Sequence, residues 1–453
     1  MVANRVERGR YLDSVALMRI SRRVGALAGV EAAALMIGTP SNKALLREAG
    51  LLSADGERAE PDDLVIAVRA ADADAALKAA LEMLAEKPAP GTERRAGSLR
   101  RALELEPQAN LALISVPGEF AAAEARRALE RGLNAMVFSD NVPIEEEVAL
   151  KRYAKERGLL LMGPDCGTAL IGGAPLAFAN AVPRGDIGIV SASGTGLQEV
   201  SSLIARMGGG VSHGIGVGGR DLDERVGALG MLAALDMLEA DPGTRTLVLI
   251  SKPPAPRVAQ SVLERVRGSK KRAVVCFLGS EQPGLARTLT EAAEQAMQKA
   301  LGAPPASAGK AHKGEVRGLY CGGTLAAEAA LVLRRAGASG ECLDLGDDRY
   351  TRGRPHPMIE PELRNEHIPA ALADARVAVL LFDVVLGYGA HADPAGVLVQ
   401  ALEGSRKAAI ASVTGTEQDP QGWSRQVAAL RAAGVQVAPS NALAAALAAA
   451  SVT

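Results

Sequence analysis

The stretch DIGIVSASGTGLQEVSSLIARMG, residues 186–208, reads as a strand, a turn of tiny polar residues and a helix. Ile187, Ile189 and Val190 make the strand, and Leu197, Val200, Leu203 and Ile204 recur at helical spacing. The turn between them, Ser191 to Gly196, falls at a helix N-terminus. Such an end carries unpaired N–H groups and about half a positive charge, and so favours an anion. Ser191, Ser193 and Thr195 add hydroxyls, while Gly194 and Gly196 let a ligand approach the backbone. The same residues would also serve a plain tight turn with Ser or Thr as N-cap. The lysine of a Walker A loop is missing, which argues against an NTP-binding P-loop.

The same rhythm of short apolar runs and amphipathic stretches continues almost throughout the chain. It predicts an α/β protein of parallel sheets with helices on both faces. Four segments are expected. Residues 1–100 form an N-terminal α/β domain, and 101–185 a Rossmann-like segment. Residues 186–305 and 314–453 form two flavodoxin-like domains. The proline-bearing stretches EKPAPGTERRAGS and GAPPASAGKAHKGE read as linkers. On such folds ligands bind outside the carboxyl ends of the strands.

With 453 residues the chain is too long for one core. Its 51 basic and 52 acidic residues leave no field for a polyanion, and aromatics at 2% offer no stacking platform, so nucleic acid is not an expected partner. Four cysteines lie far apart without a C-x-x-C pair, which predicts buried thiols rather than disulfides or zinc. No signal-peptide core and no apolar run of membrane-spanning length is visible, so a cytoplasmic enzyme, or a subunit of one, is expected.

Other polar residues cluster after strands. In GIGVGGRDL, Gly219 could wall the same crevice and Arg220 could reach an anion, held by Asp221. In LMGPDCGTALIGG, Asp165 and Thr168 are candidate polar contacts, while Cys166 reads as a buried structural thiol. The stretch LDLGDDRYTRGRPHP packs Asp347, Asp348, Arg349, Tyr350, Arg352, Arg354 and His356 behind one strand. Guanidinium groups match carboxylates and phosphates, and His356 is the best-placed general acid or base. Asp383, then Thr414 and Thr416, end later strands and could line the same crevice. No recognised ligand spacing supports a metal.

MGPDCGTALI, GDIGIVSASGTGLQEV and GVGGRDL resemble the α-subunit of succinyl-CoA synthetase, and the last segment, with LDLGDDRYTRGR, resembles the C-terminal domain of its β-subunit. That fusion, with SKPPA, PLAFANAVP, GGTLAAEAALVL and VTGTEQDPQ, resembles the FdrA family over essentially the whole chain. The parent fold uses two helix N-termini to face a phosphorylated histidine. The resemblance places both here on one chain, at the SASGTG helix and at the helix after GDDRYTRGR. VVCFLGSEQPGLARTL, residues 274–289, holds no histidine where that residue should follow. The glycine-rich CoA loop and an ATP-grasp domain are not visible either.

The family is associated with carbamate kinase and with purine or allantoin breakdown, as one subunit of an oxamate carbamoyltransferase. The resemblance therefore implies interconversion of oxalurate plus phosphate with oxamate plus carbamoyl phosphate, alongside companion subunits and with no cofactor required. In that role Ser191, Ser193, Gly194, Thr195 and Gly196 bind phosphate, Arg352 and Arg354 bind the acceptor carboxylate, and His356 handles the proton. Asp347, Asp348 and Tyr350 complete the substrate contacts. The alternatives are an acyl-CoA synthetase that uses CoA and nucleotide with partner chains, and a non-catalytic scaffold.

Overall fold

The computed structural model describes residues 1–10, 12, 14–85, 96–302, 312–351 and 354–452. The chain forms two units: Met1–Gln108 with Asp348–Pro355, and Ala109–Asp347 with His356–Thr453. Much of both expected linkers, and Arg352, lie outside the described residues.

The first unit holds strands β1 (Val2–Glu7), β2 (Val30–Ile37) and β3 (Leu64–Ala70) in the order β1-β3-β2. Both pairings are antiparallel, unlike the parallel sheet expected. The reason is that the apolar run of β3 reports burial on two faces, and says nothing of strand direction. One face packs Ile66 and Val68 against Leu17, Val24, Ala76 and Ala80 of the helices Ser14–Gly25 and Ala73–Ala85. The other buries Val65 and Ala67 against Leu46, Leu51 and Ala59. β1 escaped the sequence reading because only Val2 and Val6 flank its polar centre. Its Asn4 is buried, donating to Leu51 O at 2.7 Å and accepting from Ser53 N at 2.7 Å.

The second unit holds three sheets. A small parallel one contains β4 (Leu111–Ile114), β5 (Asn134–Val137) and β6 (Leu161–Met162). Next come β7 (Thr168–Ile171), β8 (Ala174–Ala177), β9 (Arg184–Ser191), β10 (Val211–Gly216), β11 (Thr246–Ser251) and β12 (Arg272–Phe277). They order as β12-β11-β9-β10-β7-β8, parallel except for the β7–β8 hairpin, which pairs antiparallel onto β10. Residues 168–177, read from sequence with the preceding segment, are thus part of this sheet.

The third sheet contains β13 (Glu315–Tyr320), β14 (Gly340–Asp344), β15 (Val377–Val385), β16 (Ala408–Thr414) and β17 (Gln436–Ala438). All are parallel, in the flavodoxin-like order β14-β13-β15-β16-β17. The protein is therefore a mixed α/β molecule built largely on parallel sheets. In each large sheet the strand order reverses at one place, between β9 and β11 and between β13 and β15. Those reversals open crevices for ligands.

One core spans both large sheets, joining Ile189, Val200 and Leu203 to Tyr320, Leu325, Leu381 and Ala444. Among the described residues no helix is long and apolar enough to cross a membrane.

Candidate anion site between two helix N-termini

The SASGTG turn opens the helix Gly194–Arg206 as expected. Ser193 is its N-cap, in extended conformation, and accepts from Gly196 N at 2.9 Å. Ser191 is buried and spent inside the turn, donating to Ser193 O at 2.7 Å and accepting from Ser193 N at 3.1 Å. Residues 193–195 remain partly open to solvent. Thr168 flanks them, since a Cβ on Gly194 would lie 3.1 Å from its Oγ1, but that hydroxyl already donates to Phe178 O at 2.7 Å.

The second N-terminus lies elsewhere than expected. Ser193 Oγ donates to Thr324 Oγ1 at 2.6 Å, so the partner is the helix Gly323–Arg335 that follows β13. The residues after GDDRYTRGR do not supply it. CGGT after the strand GLY is the same small-residue turn as SASGTG, and that signal was present in the sequence. The turn also packs closely across the two halves: a Cβ on Gly322 would meet Thr195 Cγ2 at 2.9 Å.

Two charged side chains stand beside Gly323. A Cβ there would lie 2.1 Å from Asp344 Oδ2 and 3.2 Å from Lys252 Nζ. Lys252 follows β11, is exposed, and makes no hydrogen bond or ion pair with the described residues. The Asp344 carboxylate already stands at this positive helix end, and the Lys252 ammonium adds a cationic group there that an arriving anion can meet. Behind the turn, Asp383 accepts from Cys321 N at 2.8 Å and Gly322 N at 2.7 Å. Buried Arg364 donates to Asp383 O at 2.8 Å. Burial pushes the Asp383 carboxyl up to about 6, against the pull of Arg364 and the two amides.

His356 borders the same region, because a Cβ on Gly346 would lie 2.4 Å from its Nε2 and 2.6 Å from Cys321 O. Its Nδ1 accepts from Met358 N at 3.1 Å, and burial holds the ring down to about 4. The expected general acid or base is thus neutral at physiological pH, with its ring proton on Nε2.

Several expected contacts are engaged in holding the fold. Arg220 Nη2 lies 2.9 Å from Glu147 Oε2 and donates to Val142 O at 2.8 Å. Asp221 does not hold it. Asp221 takes Lys151 Nζ at 2.7 Å and caps the helix Leu229–Ala240 through Gly230 N and Met231 N, each at 2.8 Å. A buried lysine needs those carboxylates, which come from elements the motif does not show. Gly219 stays exposed, with Asp165 Oδ2 3.4 Å from where its Cβ would be. Thr414 Oγ1 donates to Glu199 Oε2 at 2.5 Å, and Thr416 Oγ1 donates to Ala181 O at 2.6 Å, so neither hydroxyl faces a substrate. Cys166 is buried with its thiol pushed up to about 12, as a structural cysteine. Asp347 belongs to the second unit and is exposed. Asp348, Arg349, Tyr350 and Arg354 belong to the first unit, where Arg349 lies over the Tyr350 ring at 4.9 Å.

A relative settles the family. The Escherichia coli (strain K12) protein YahF, itself uncharacterized, is 42% identical over 95% of this chain and 95% of its own length. The chain belongs to this FdrA-like, CoA-ligase-type family. A CoA-ligase family model matches residues 319–451, and a model of the AllF heavy metal-associated domain matches residues 1–99. The solved structures include the Candidatus Korarchaeum cryptofilum dinucleotide-forming acetyl-coenzyme A synthetase 1 with phosphate and ADP. It is 18% identical over 75% of this chain and 82% of its own, at TM-score 0.31. ATP citrate lyase from Methanothrix soehngenii with citrate and coenzyme A is 18% identical over 44% and 37%, at TM-score 0.36. Similarity at that level identifies neither site nor substrate.

The name of the N-terminal model raises the question of a metal in this FdrA-like chain. Residues 1–99 contain neither cysteine nor histidine, the thiolate and imidazole donors that heavy-metal sites are mostly built from. Among the described residues no group of three or more His, Cys, Asp or Glu is placed to hold an ion. The residues do not fit a heavy metal.

Proposed function

We propose that this chain is a subunit of an acyl-transferring enzyme of the CoA-ligase type, and that its two-helix site holds the phosphoryl group of an acyl phosphate. The observation that carries this reading is the meeting of two helix N-termini through Ser193 and Thr324, with the unpaired Lys252 beside them. Two such ends and an ammonium suit a dianion better than a single carboxylate. Each end contributes up to about 1–2 kcal/mol in a partly buried site. Donors held ready for charge on the leaving phosphate raise its departure rate without later reorganisation. In the acyl-CoA synthetase form, the CoA thiol attacks the acyl carbon and the acyl–phosphate bond breaks. Companion chains would supply nucleotide and phosphoryl carrier.

A second reading, carbamoyl transfer between carbamoyl phosphate and oxamate, is favoured by one observation. Residues 274–289 hold no histidine, and His356, whose Nδ1 lone pair accepts from Met358 N so that Nε2 carries the proton, offers no free lone pair to a phosphoryl group. In this form the oxamate nitrogen attacks the carbamoyl carbon, and phosphate leaves to the same site.

One assay separates the two. The chain and its companion subunits are mixed with acetyl phosphate and CoA, or with carbamoyl phosphate and oxamate, and the thioester and oxalurate are measured. Thioester that requires CoA supports the first reading. Oxalurate formed without CoA or nucleotide replaces it with the second. In either case Gly323→Ala is expected to lower turnover at least tenfold, because its methyl would collide with Asp344 at the helix end. Unchanged turnover in that variant places the chemistry elsewhere.

A further inference from the structure

Asp383 interrupts the apolar run of β15 near its C-terminal end and is fully buried. A carboxylate so placed costs several kcal/mol to desolvate unless its partners are well aligned. Its two oxygens accept the amides of Cys321 and Gly322, the last two before the helix Gly323–Arg335. Arg364, 1% exposed, donates to the Asp383 carbonyl and stands 3.9 Å from Oδ1. Gly322 is held from both sides, with Asp383 Oδ2 at 3.1 Å and Thr195 Cγ2 at 2.9 Å from the place of a Cβ. Having no exposed surface, Asp383 cannot itself touch a ligand. Its charge nevertheless lies at the same helix end as the proposed phosphoryl group, where charge alone would repel it.

We propose that Asp383 is a positioning residue: by taking the Cys321 and Gly322 amides, it fixes the turn so that the amides of Gly323 and Thr324 are left to the anion. The inference rests on the reading of the two-helix site as a phosphoryl site. Position and charge make opposite predictions. If position governs, removing the carboxylate weakens anion binding; if charge governs, removal strengthens it.

Sulfate is the probe, since it stays a dianion from pH 5 to 8. Calorimetric titration of the full chain at pH 7.5 is expected to show Asp383→Asn binding sulfate about tenfold more weakly than wild type, or about 1.4 kcal/mol. Affinity equal to or tighter than wild type overturns the proposal.

A second measurement needs no variant at Asp383, and so stands if Asp383→Asn fails to fold. The groups facing the carboxylate are Arg364 from the helix Glu362–Asn365, Asp344 at the end of β14, and the Cys321 thiol and Tyr320 from the β13 strand and turn. Burial pushes both the thiol and the phenol upward, so neither titrates near pH 6. As pH falls through about 6 the Asp383 acid form loses an acceptor, and wild-type sulfate affinity falls with it. Glu328, on the same helix and pushed up to about 7, loses its charge over the same range and by that alone would raise affinity, so the profile is run on Glu328→Gln as well. An affinity that is flat or rising from pH 7.5 to 5 in both proteins overturns the proposal. If the wild type binds no sulfate or phosphate at all, the anion reading itself fails. That outcome is distinct, because it appears before any variant is made.

Discussion

His356 accepts a backbone N–H at Nδ1, which leaves the ring proton on Nε2. Its folded pKa lies below the ordinary value of 6.5, near 4, so the folded state resists protonation. Stability is therefore present above about pH 6.5 and is lost as pH falls from there toward 4. Nitrogen NMR is expected to show the His356 ring neutral, with the Nε2–H tautomer, at pH 5.5. His356→Gln should soften the fall in melting temperature between pH 6.5 and 4.5. A ring that titrates near 6.5 would contradict this. At this scale the sequence was legible where a residue acts on its own turn, as Ser193 does at the helix cap. It was not legible where partners come from afar. Arg364 meets Asp383 across 19 positions, Asp383 meets Cys321 across 62, and Ser193 meets Thr324 across 131. No local pattern records those distances.

The helix Gly194–Arg206 shows the same limit for an element. Its apolar face, Leu197, Val200, Leu203 and Ile204, was readable by period. The opposite face, Gln198, Glu199, Ser201 and Ser202, reads as a solvated surface yet is at most 1% exposed. It is covered by the other half of the unit. Glu199 and Glu328, one on each of the helices Gly194–Arg206 and Gly323–Arg335, are bridged by Asn441. Its backbone N–H donates to Glu199 Oε1 at 3.0 Å, and its Nδ2 donates to Glu328 Oε2 at 2.7 Å. Burial pushes Glu328 up to about 7, with the Glu199 charge adding to it. For a carboxyl with a raised folded pKa, stability is greatest when it is protonated. It falls as pH rises from about 4.5 through 7, by an upper bound of roughly 3 kcal/mol. Glu328→Gln is expected to flatten the decline in melting temperature between pH 5 and 8. A decline identical to wild type would place the titration elsewhere.

For the molecule as a whole, the strand–turn–helix rhythm was enough to read the two flavodoxin-like halves, because parallel sheets write apolar runs directly into sequence. Their joining was hidden, since it depends on buried polar groups that look like loop residues. Asp419 accepts from Ala181 N at 2.7 Å and from Asn180 Nδ2 and Thr416 N, each at 2.8 Å. Asn180 also donates to Leu386 O at 3.0 Å. Asp419→Ala leaves these donors buried without an acceptor, at a cost of about 2–4 kcal/mol. Calorimetry is expected to show the second unit unfolding in two steps rather than one. A single, unshifted transition would mean that the shared apolar core alone couples the halves.

Because Ser193 and Thr324 belong to one polypeptide, the site behaves as an intramolecular assembly. A clamp divided between two chains falls apart on dilution below their dissociation constant, whereas tethered halves keep a fixed effective concentration. Anion affinity measured at nanomolar protein should equal that measured at micromolar protein.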